Sequence, residues 1–329
     1  MKIIVPLAGK GTRLLPLTKR VPKPLVRVAG RPVLDYVMDI LLPLEPSELI
    51  VITGHLKDTV EAYITASYAV QARFVEQKVQ DGTAGAVKLA QEWIDEPVLI
   101  VFVDTLFEAD LSIVRRADAD GILWVKEVED YQRFGVVVTD GKGNMTRIVE
   151  KPSEPVSKLA NIGLYYVRDW QTLFEGIDNT LAKPPLGSEW YLTDAFQYMV
   201  DQGKRLRTAE VKGWYDCGKV ETLLATNEHL LRHGGRGTAR RAEFPGTTIL
   251  PPVRIEDRVV VEHSTIGPNV TLEADCVVRG SIVEHAIIGR GSRLDKAIVR
   301  RSLVGEEQQV LERTVDKMVV DGGEFASAR

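Results

Sequence analysis

The sequence predicts an α/β protein in two parts: an open sheet flanked by helices, then a C-terminal left-handed parallel β-helix. Two observations predict this fold. In the first half, apolar strand-like runs alternate with helix-spaced apolar residues, as in sheets with right-handed crossover connections. Between Phe244 and Phe325 aromatic residues are absent, and Val, Ile and Leu recur in sixes, which is typical of a hexapeptide repeat.

The composition is that of an ordinary soluble protein. The 329 residues carry 42 Lys+Arg against 46 Asp+Glu, a formal net charge of −4. This mildly acidic balance argues against nucleic acid as the main partner, and no apolar run reaches the roughly 20 residues of a membrane helix. Cys217 and Cys276 provide neither a disulfide framework nor a CxxC metal site. We therefore expect a cytoplasmic protein with no membrane partner.

The elements follow in order. We expect strands at 2–7, 48–53, 72–76 and 98–103, with helices near 33–44, 57–66 and 83–93 between them. Further strands are expected at 122–128, 134–139, 145–150 and 162–167, and helices at 170–180, 192–203 and 219–233. Ligands of such sheets bind beyond the carboxyl ends of the strands. This rule marks Ala8–Arg13, Gly54, Gln77 and Asp104 as candidates.

The C-terminal repeat sets the expected inward residues of the β-helix. They are Val260, Ile266, Leu272, Val278, Ile282, Ile288, Leu294, Ile298 and Val304. About three coils are expected, with Gly267 and Gly289 at corners; a small β-sandwich is the alternative. With a linker at Gly234–Gly237, the predicted domains are residues 1–239 and 240–329.

A glycine-rich loop follows the first strand, in Leu7-Ala-Gly-Lys-Gly-Thr-Arg13. Its two glycines let the backbone approach a phosphate, and successive N–H groups can form an anion nest. Thr12 adds a hydroxyl and Arg13 a cation, although a simple tight turn is the alternative. The spacing is neither a Walker A loop nor G-x-G-x-x-G, since position 14 is Leu. A dinucleotide-binding dehydrogenase is therefore disfavoured.

Charged residues follow other predicted strands. In Pro22-Lys23-Pro24 two prolines stiffen the chain around a lysine that could meet a phosphate. Asp104 and Asp216 could bind Mg²⁺, which takes one or two carboxylates besides substrate phosphates and water; each could equally be a cap or turn residue. Glu150-Lys151-Pro152 and Glu189 could bind sugar hydroxyls and a sugar phosphate, or form a surface pair and a helix entry.

Together these residues resemble the sugar-1-phosphate nucleotidylyltransferases, or sugar-nucleotide pyrophosphorylases. The family opening L-A-G-G-x-G-T-R-L-x-P-L-T, then P-K-P-L and G-x-P, corresponds to Leu7–Thr18, Pro22–Leu25 and Gly30–Pro32. Further motifs occur in family order: Gln77, Gly82–Ala86, Asp104, Phe134–Val136, Glu150–Pro152, Asn161–Gly163, Glu189–Asp194 and Trp214–Gly218. The resemblance covers roughly residues 1–235. This chain departs from it with one glycine fewer around Lys10, and with Val103 where many members have Gly.

The resemblance implies a Rossmann-like mixed-sheet nucleotidyltransferase domain, and Mg²⁺-dependent transfer of a nucleoside monophosphate from an NTP to a sugar-1-phosphate. The implied catalytic residues are Arg13, Lys23 and Lys151, and the implied metal ligands are Asp104 and Asp216. The implied nucleotide-binding residues are Leu7, Gly9, Gly11, Thr12, Gln77, Gly82 and Thr83. The implied sugar-binding residues are Gly135, Glu150, Asn161 and Glu189.

Several alternatives remain open at this point. Within the family, glucose-1-phosphate with dTTP or UTP is favoured, and a mannose-1-phosphate guanylyltransferase or an ADP-glucose-type enzyme is the alternative. Acyl transfer by the β-helix would need a histidine such as His263 or His285, which are more simply polar corner residues. A regulatory subunit that binds a sugar nucleotide without turnover is the non-enzyme alternative. We expect a homo-oligomer, with the β-helix as an oligomerisation or regulatory module.

Overall fold

The computed structural model describes residues 1–234 and 244–328. The chain forms two compact units: the first comprises Met1–Gly9 and Val37–Trp214, the second Lys10–Tyr36 and Tyr215–Arg329. The predicted boundary between residues 239 and 240, and positions 235–237 of the predicted linker, lie outside the described residues.

The bounds of the elements in the first 234 residues match most of the predicted ones. The strands are β1 (Lys2–Pro6), β2 (Arg27–Val28), β3 (Arg31–Pro32), β4 (Leu49–Thr53), β5 (Ala72–Glu76), β6 (Val98–Val101), β7 (Thr105–Glu108), β8 (Gly121–Glu127), β9 (Gly135–Thr139), β10 (Met145–Glu150), β11 (Leu159–Val167), β12 (Leu206–Glu210) and β13 (Gly213–Asp216). The α-helices are α1 (Val33–Leu41), α2 (Lys57–Ser67), α3 (Thr83–Lys88), α4 (Trp170–Leu181), α5 (Leu192–Asp201) and α6 (Val220–His233).

A nine-stranded mixed sheet forms the centre of the first unit. Its order is β10-β9-β11-β6-β1-β4-β5, and β8 pairs with both β11 and β12. β1 runs parallel to β4 and β6, whereas β11 runs antiparallel to β6 and β8. β1 and β4 are almost wholly buried, and α3, α4 and α5 contribute to the same apolar core. The predicted mixed sheet is confirmed.

Two predicted elements are shorter than expected. The helix expected over 83–93 ends at Lys88, and a 3-10 turn at Gln91–Trp93 continues it. The strand expected over 98–103 ends at Val101. Phe102 N still bonds to Gly163 O at 2.9 Å, where Gly163 has a φ of 77° and the pairing register of the neighbouring strand β11 shifts. Asp104 therefore lies in the turn between β6 and β7.

The C-terminal residues form short parallel strands in three stacks, consistent with a β-helix. The strands are β14 (Thr248–Ile249), β15 (Val253–Ile255), β16 (Val260–Glu262), β17 (Thr265–Ile266), β18 (Val270–Leu272), β19 (Val277–Arg279), β20 (Ile282–Glu284), β21 (Ile287–Ile288), β22 (Arg293–Asp295), β23 (Ile298–Arg300), β24 (Leu303–Val304), β25 (Gln309–Leu311), β26 (Thr314–Asp316), β27 (Met318–Asp321) and β28 (Glu324–Ser327). Strands β14 to β25 make four coils of three strands, and β26 and β27 continue a fifth. The final strand, β28, pairs antiparallel with β27.

The inward residues differ from prediction at three strands of the β-helix, β16, β20 and β23. Val261, Val283 and Val299 are buried, whereas the predicted Val260 is 39% exposed and Ile282 and Ile298 are only partly buried. Each of these strands has three residues, so its central residue faces inward while its neighbours face outward. The coils are also shorter than three hexapeptides, because Thr248 pairs with Thr265 and Ile282 with Ile298. Strict counting in sixes therefore slips by one residue.

Among residues 1–234 and 244–328, no helix combines the length and apolar character that a membrane crossing needs.

Candidate functional site

The first group of predicted site residues lies at the ends of the strands of the first unit. Gln77 follows β5, and its Nε2 donates to Asp81 Oδ1 at 2.8 Å and to Gly82 O at 3.3 Å. Gly82 has a φ of 110°, and a Cβ there would lie 2.4 Å from Trp190 O. A side chain at position 82 is therefore excluded twice, by backbone conformation and by space.

The segment from Gln77 to Ala84 is joined to the segment that enters α5. Trp190 N donates to Asp81 O at 2.8 Å, and Ala84 N donates to Trp190 O at 3.0 Å. Thr83 Oγ1 accepts from Leu192 N at 2.9 Å, at the first residue of α5. Thr83 therefore holds the start of α5. The sequence predicted Thr83 as a nucleotide-binding residue and did not predict this contact.

The predicted sugar-binding residues Gly135, Glu150 and Asn161 meet in the same unit. Asn161 Nδ2 donates to Gly135 O at 2.7 Å. A Cβ at position 135 would lie 2.4 Å from Asn161 Nδ2 and 2.8 Å from Glu150 Oε2, so only glycine leaves room there. Thr193 Oγ1 donates to Glu150 Oε2 at 3.1 Å. This cluster presents a carboxylate and an amide, the groups that pair with sugar hydroxyls.

Lys151 and Glu189 are joined through a tyrosine. Lys151 Nζ donates to Tyr191 Oη at 2.7 Å, and Tyr191 Oη donates to Glu189 Oε2 at 2.7 Å. Lys151 Nζ also lies 4.4 Å from the centroid of the Tyr191 ring. The structure therefore places the proposed phosphate-binding cation beside the proposed sugar-binding carboxylate.

Burial and charge shift the pKa values of this cluster. Burial raises the pKa of Glu150 above its ordinary value, although Thr193 and Lys151 oppose the shift. Burial would lower the pKa of Lys151, but its bond to Tyr191 and the nearby carboxylates outweigh this effect and raise it. Lys151 is therefore held as a cation suited to a phosphate.

The charge of Asp104 acts on a tyrosine that contacts the same cluster. Burial raises the pKa of Tyr165, and the charges of Glu150 and Asp104 raise it further. The hydroxyl of Tyr165 in turn donates to Asn161 Oδ1. Leu7 and Gly9 are less connected: Leu7 is buried and its N bonds to Ile52 O at 2.7 Å, while a Cβ at Gly9 would meet nothing within 4 Å.

The second unit holds the remaining predicted residues. Gly11 adopts a φ of 63° ahead of the 3-10 turn Thr12–Leu14, in which Thr12 and Arg13 are exposed. A Cβ at position 11 would lie 2.9 Å from Thr18 Cγ2 and 3.1 Å from Lys23 Cβ. Glycine is therefore required at this point of the loop.

Lys23 and Asp216 face one glycine. Asp216 Oδ1 accepts from Gly218 N at 2.6 Å, and a Cβ at position 218 would lie 2.9 Å from Asp216 Oδ1 and 3.5 Å from Lys23 Nζ. A cation and a carboxylate thus converge on the backbone at Gly218, and these are the groups that a phosphate–metal site uses.

No cluster of three or more His, Cys, Asp or Glu side chains within the described residues could hold a metal ion. A Mg²⁺ ion needs only one or two protein carboxylates when substrate phosphates and water complete its coordination. Asp104 in the first unit and Asp216 in the second each offer the carboxylate oxygens that such an ion takes.

Sequence reasoning missed three residues of these clusters. Tyr191 and Thr193 lie within the Glu189–Asp194 motif, so the motif marked their neighbourhood but not their role. Asp81 lies between Gln77 and Gly82, and a carboxylate four residues from a glutamine on a loop carries no distinctive pattern.

His263 and His285 stand at left-handed corners of the coils, with φ of 49° and 47°.

The fold is that of an α/β protein with a β-helical extension. The family model for nucleotidyl transferases matches residues 2–233, and the chain belongs to that family, which confirms the resemblance. The chain is 32% identical over 229 residues to the UTP–glucose-1-phosphate uridylyltransferase AglF of Haloferax volcanii, covering 67% of this chain and 93% of AglF.

Other relatives share more of the chain. Glucose-1-phosphate thymidylyltransferase of Streptomyces griseus is 28% identical, with 94% of this chain and 93% of that enzyme covered. The bifunctional protein GlmU of Methanococcus aeolicus is 30% identical over 80% of this chain, which spans only 61% of GlmU. A UDP-glucose pyrophosphorylase solved with UDP-glucose superimposes with a TM-score of 0.63 at 26% identity, over 70% of this chain and 98% of that one.

Proposed function

We propose that the protein transfers a nucleoside monophosphate from dTTP or UTP to glucose-1-phosphate, releasing pyrophosphate. The observation that carries this proposal is the Lys151–Tyr191–Glu189 chain, in the unit where Asn161 bonds to Gly135 and Thr193 to Glu150. A cation that would bind the phosphate and polar groups that would bind the hydroxyls are what a sugar-1-phosphate requires. AglF is a UTP–glucose-1-phosphate uridylyltransferase and the Streptomyces griseus relative a glucose-1-phosphate thymidylyltransferase, which supports the choice of glucose-1-phosphate.

The reaction needs charge control more than proton transfer. An oxygen of the sugar phosphate attacks the α-phosphorus of the NTP, a new P–O bond forms, and the bond to the β-phosphate breaks. The attacking phosphate is already ionised at neutral pH, so positioning and electrostatic stabilisation dominate. Lys151 would hold the sugar phosphate, and Arg13 and Lys23 would offset the charge of the NTP phosphates.

The remaining residues would orient the two substrates. Glu150, Asn161, Gly135 and Glu189 would bind sugar hydroxyls. Leu7, Gly9, Gln77 and Gly82 would face the base, and Gly11 and Thr12 the phosphates. Thr83 belongs to the segment proposed to bind the nucleotide, and we propose that it acts by holding the start of α5.

Mg²⁺ is the proposed cofactor, and Asp104 and Asp216 are its proposed ligands. Bound to the phosphates, the ion would neutralise charge and polarise the phosphorus–oxygen bonds. Each aspartate can be tested alone by its Asn variant, in which we expect the Mg²⁺ concentration required for half-maximal rate to rise.

The test is pyrophosphate release with Mg²⁺ over a substrate grid. The grid combines dTTP, UTP, GTP, ATP and CTP with glucose-, mannose-, galactose- and N-acetylglucosamine-1-phosphate. We expect glucose-1-phosphate with dTTP or UTP to give the highest kcat/KM. A preference for GTP with mannose-1-phosphate, or for ATP, would overturn the assigned pair while keeping the reaction class. A folded protein silent over the whole grid would favour the sugar-nucleotide-binding subunit.

A further inference from the structure

The loop that carries Gly11, Arg13 and Lys23 belongs to the same compact unit as the β-helix. Its segment, Lys10–Tyr36, is separated in sequence from the rest of that unit, which starts at Tyr215. We call this segment the N-terminal ribbon. The contacts that fix it to the coils occur at three places.

The first anchor is an ion pair that is largely withdrawn from solvent. Arg27 Nε donates to Glu273 Oε1 at 2.8 Å, and Arg27 Nη2 lies 3.3 Å from Glu256 Oε1. Glu273 is only 2% exposed, and its second oxygen accepts from Arg290 N at 3.2 Å. Arg27 Nη2 also donates to Gly30 O at 2.6 Å, so one guanidinium joins the ribbon turn to two coils.

The second anchor is a buried amide on α6. Asn227 is fully buried, and its Oδ1 accepts from Ala29 N at 2.9 Å and from Thr271 Oγ1 at 2.8 Å. The next ribbon residue, Gly30, lies against the coil so closely that a Cβ would be 2.1 Å from Arg254 Nε. The turn between β2 and β3 is thus fixed to α6 and to β18.

The third anchor is the turn between β27 and β28. Lys19 Nζ lies 2.6 Å from Glu324 Oε1, and Arg20 Nη1 lies 3.6 Å from Asp321 Oδ1. Asp321 is 2% exposed and its Oδ2 has no hydrogen-bond partner. A buried carboxylate of the last coil therefore pairs with Arg20 of the ribbon.

Apolar packing leaves a small space between these anchors. A cavity of ≈ 50 Å³ lies there. Its apolar lining includes Leu17, Val21, Leu25, Ile287 and Leu303. Because the apolar side chains leave this space unfilled, the polar anchors contribute to the fixed geometry.

Within the ribbon, the anchored residues are rigidly connected to the phosphate-binding candidates. Thr18 is fully buried and its Oγ1 donates to Gly11 O at 2.9 Å. Gly11 fits between Thr18 and Lys23, and Lys23 lies between the anchors at Arg20 and Arg27. A movement of the anchors would therefore displace Lys23 and the turn that bears Arg13.

We propose that Arg27 and its coil carboxylates Glu273 and Glu256 are positioning residues, by which the β-helix fixes the ribbon so that Arg13 and Lys23 meet the NTP phosphates. The kinetic part of this inference rests on the proposed function. The structural part, that the coils order the ribbon, does not depend on any substrate.

The test compares two arginine–carboxylate pairs of the β-helix unit. In the full-length protein, Arg27→Lys keeps the charge but loses the forked contact. The double variant R27M/E273Q removes both charges, because breaking only one side of a buried pair can unfold the protein. Arg258→Met is the matched control, since Arg258 Nη2 bonds to Asp275 Oδ2 at 2.8 Å on the exposed side of the coils.

Hydrogen exchange without substrate is the first readout. Amides of Leu14, Lys19, Arg20, Leu25 and Val26 bond within the ribbon. In both Arg27 variants we expect the peptide covering residues 10–26 to exchange on the order of tenfold faster. Exchange in β4 and in the strands of the middle coils should stay as in the unchanged protein. Arg258→Met should change exchange neither at residues 10–26 nor in these strands.

Steady-state kinetics at a temperature well below unfolding is the second readout. We expect kcat to fall about tenfold while the KM for the sugar-1-phosphate stays within about twofold, because the ribbon is assigned to the NTP phosphates. Unchanged exchange at residues 10–26 would overturn the ordering role. Faster exchange with unchanged kcat would overturn the positioning role. If the unchanged protein turned over no substrate pair, the proposed function would fail while exchange still decided the ordering role.

Discussion

The two units hold their site residues in different ways. In the first unit the candidate residues contact one another: Lys151, Tyr191 and Glu189 form a chain, and Glu150 meets Thr193. In the second unit the candidate cation Lys23 belongs to a ribbon fixed by Arg27, more than two hundred residues in sequence from its partner Glu273. In the first unit, the residues proposed to bind substrate therefore also fix one another in place. In the second unit, a separate residue, Arg27, fixes the segment that carries the candidate cation.

The largest effect should come from the first unit, where one residue is proposed to bind substrate and also fixes its neighbours. Lys151→Ala removes the cation assigned to the sugar phosphate and also the partner of Tyr191, so we expect kcat/KM to fall on the order of a hundredfold with folding retained. Lys158→Ala is the control, because Lys158 pairs with Glu129 in the same unit but with both side chains exposed. A Lys151→Ala enzyme within about threefold of the unchanged one would contradict the role.

The next effect concerns the joint between the Gln77–Ala84 segment and Trp190. Gly82→Ala adds a Cβ into the Trp190 backbone at a φ of 110°, and we expect a loss of about 2–4 kcal/mol in the free energy of unfolding. Gly187→Ala is the control: its φ is 67°, but nothing lies within 4 Å of the added Cβ, so about 1 kcal/mol should be lost. Chemical denaturation measures both, and equal losses would refute the steric argument.

A smaller effect, of opposite sign, should follow from Glu150→Gln. Burial raises the pKa of Glu150 in the folded protein, so its favourable contribution is present below the unfolded pKa and disappears as pH rises through the folded one. At pH 8 the ionised Glu150 carboxylate is buried at a cost, and Gln, which carries no charge, removes this cost. We therefore expect the Gln variant to be more stable by about 1 kcal/mol at pH 8, and this difference to shrink toward pH 5.

Thermal unfolding at the two pH values checks this expectation, and kcat/KM should fall at the same time because the sugar-hydroxyl acceptor is weakened. A Glu150→Gln protein that is less stable at pH 8 than at pH 5, relative to the unchanged protein, would show that Thr193 and Lys151 outweigh burial.

The smallest effect should come from the exposed coil pair. Arg258→Ala loses its bonds to Asp275 on the surface, where ion pairs contribute little, so we expect Tm to change by less than about 1 °C. A clear loss of Tm would mean that surface pairs also fix the coils, and the contrast with Arg27 would weaken.

The local pattern predicted most of the first unit and part of the site. Apolar runs and turn residues placed β5 and β10 to the residue, and the motifs marked Gln77, Glu150 and Lys151. Tyr191 could not be predicted as the link to Lys151, because that contact depends on how a helix entry folds back on a strand end. Nor could the turn at Asp104, which follows a backbone bond from Phe102 to Gly163 in another strand.

The contacts of the N-terminal ribbon were harder to predict from the sequence than those of the first unit. The motifs predicted that Lys10–Pro32 carries phosphate-binding residues, but the link to the coils depends on single pairs such as Arg27–Glu273 and Ala29–Asn227. Such pairs have no spacing rule, since Glu273 lies in the repeat and Asn227 on α6, 246 and 198 residues from their partners. The one-residue slip at Val261 has a similar cause, because coil length follows strand pairing rather than the apolar period.

The antiparallel strand β28 has a consequence for the β-helix. A stack of parallel coils leaves unpaired backbone groups at its last turn, and such an edge can recruit another chain. The turn at Gly322 and Gly323, with φ of 57° and 78°, reverses the chain so that Glu324–Ser327 covers β27. This hairpin closes one face against fibre-like growth, and its carboxylates Asp321 and Glu324 are the ones that meet Arg20 and Lys19. The same four-residue turn therefore covers the edge of β27 and supplies the carboxylates that pair with Lys19 and Arg20.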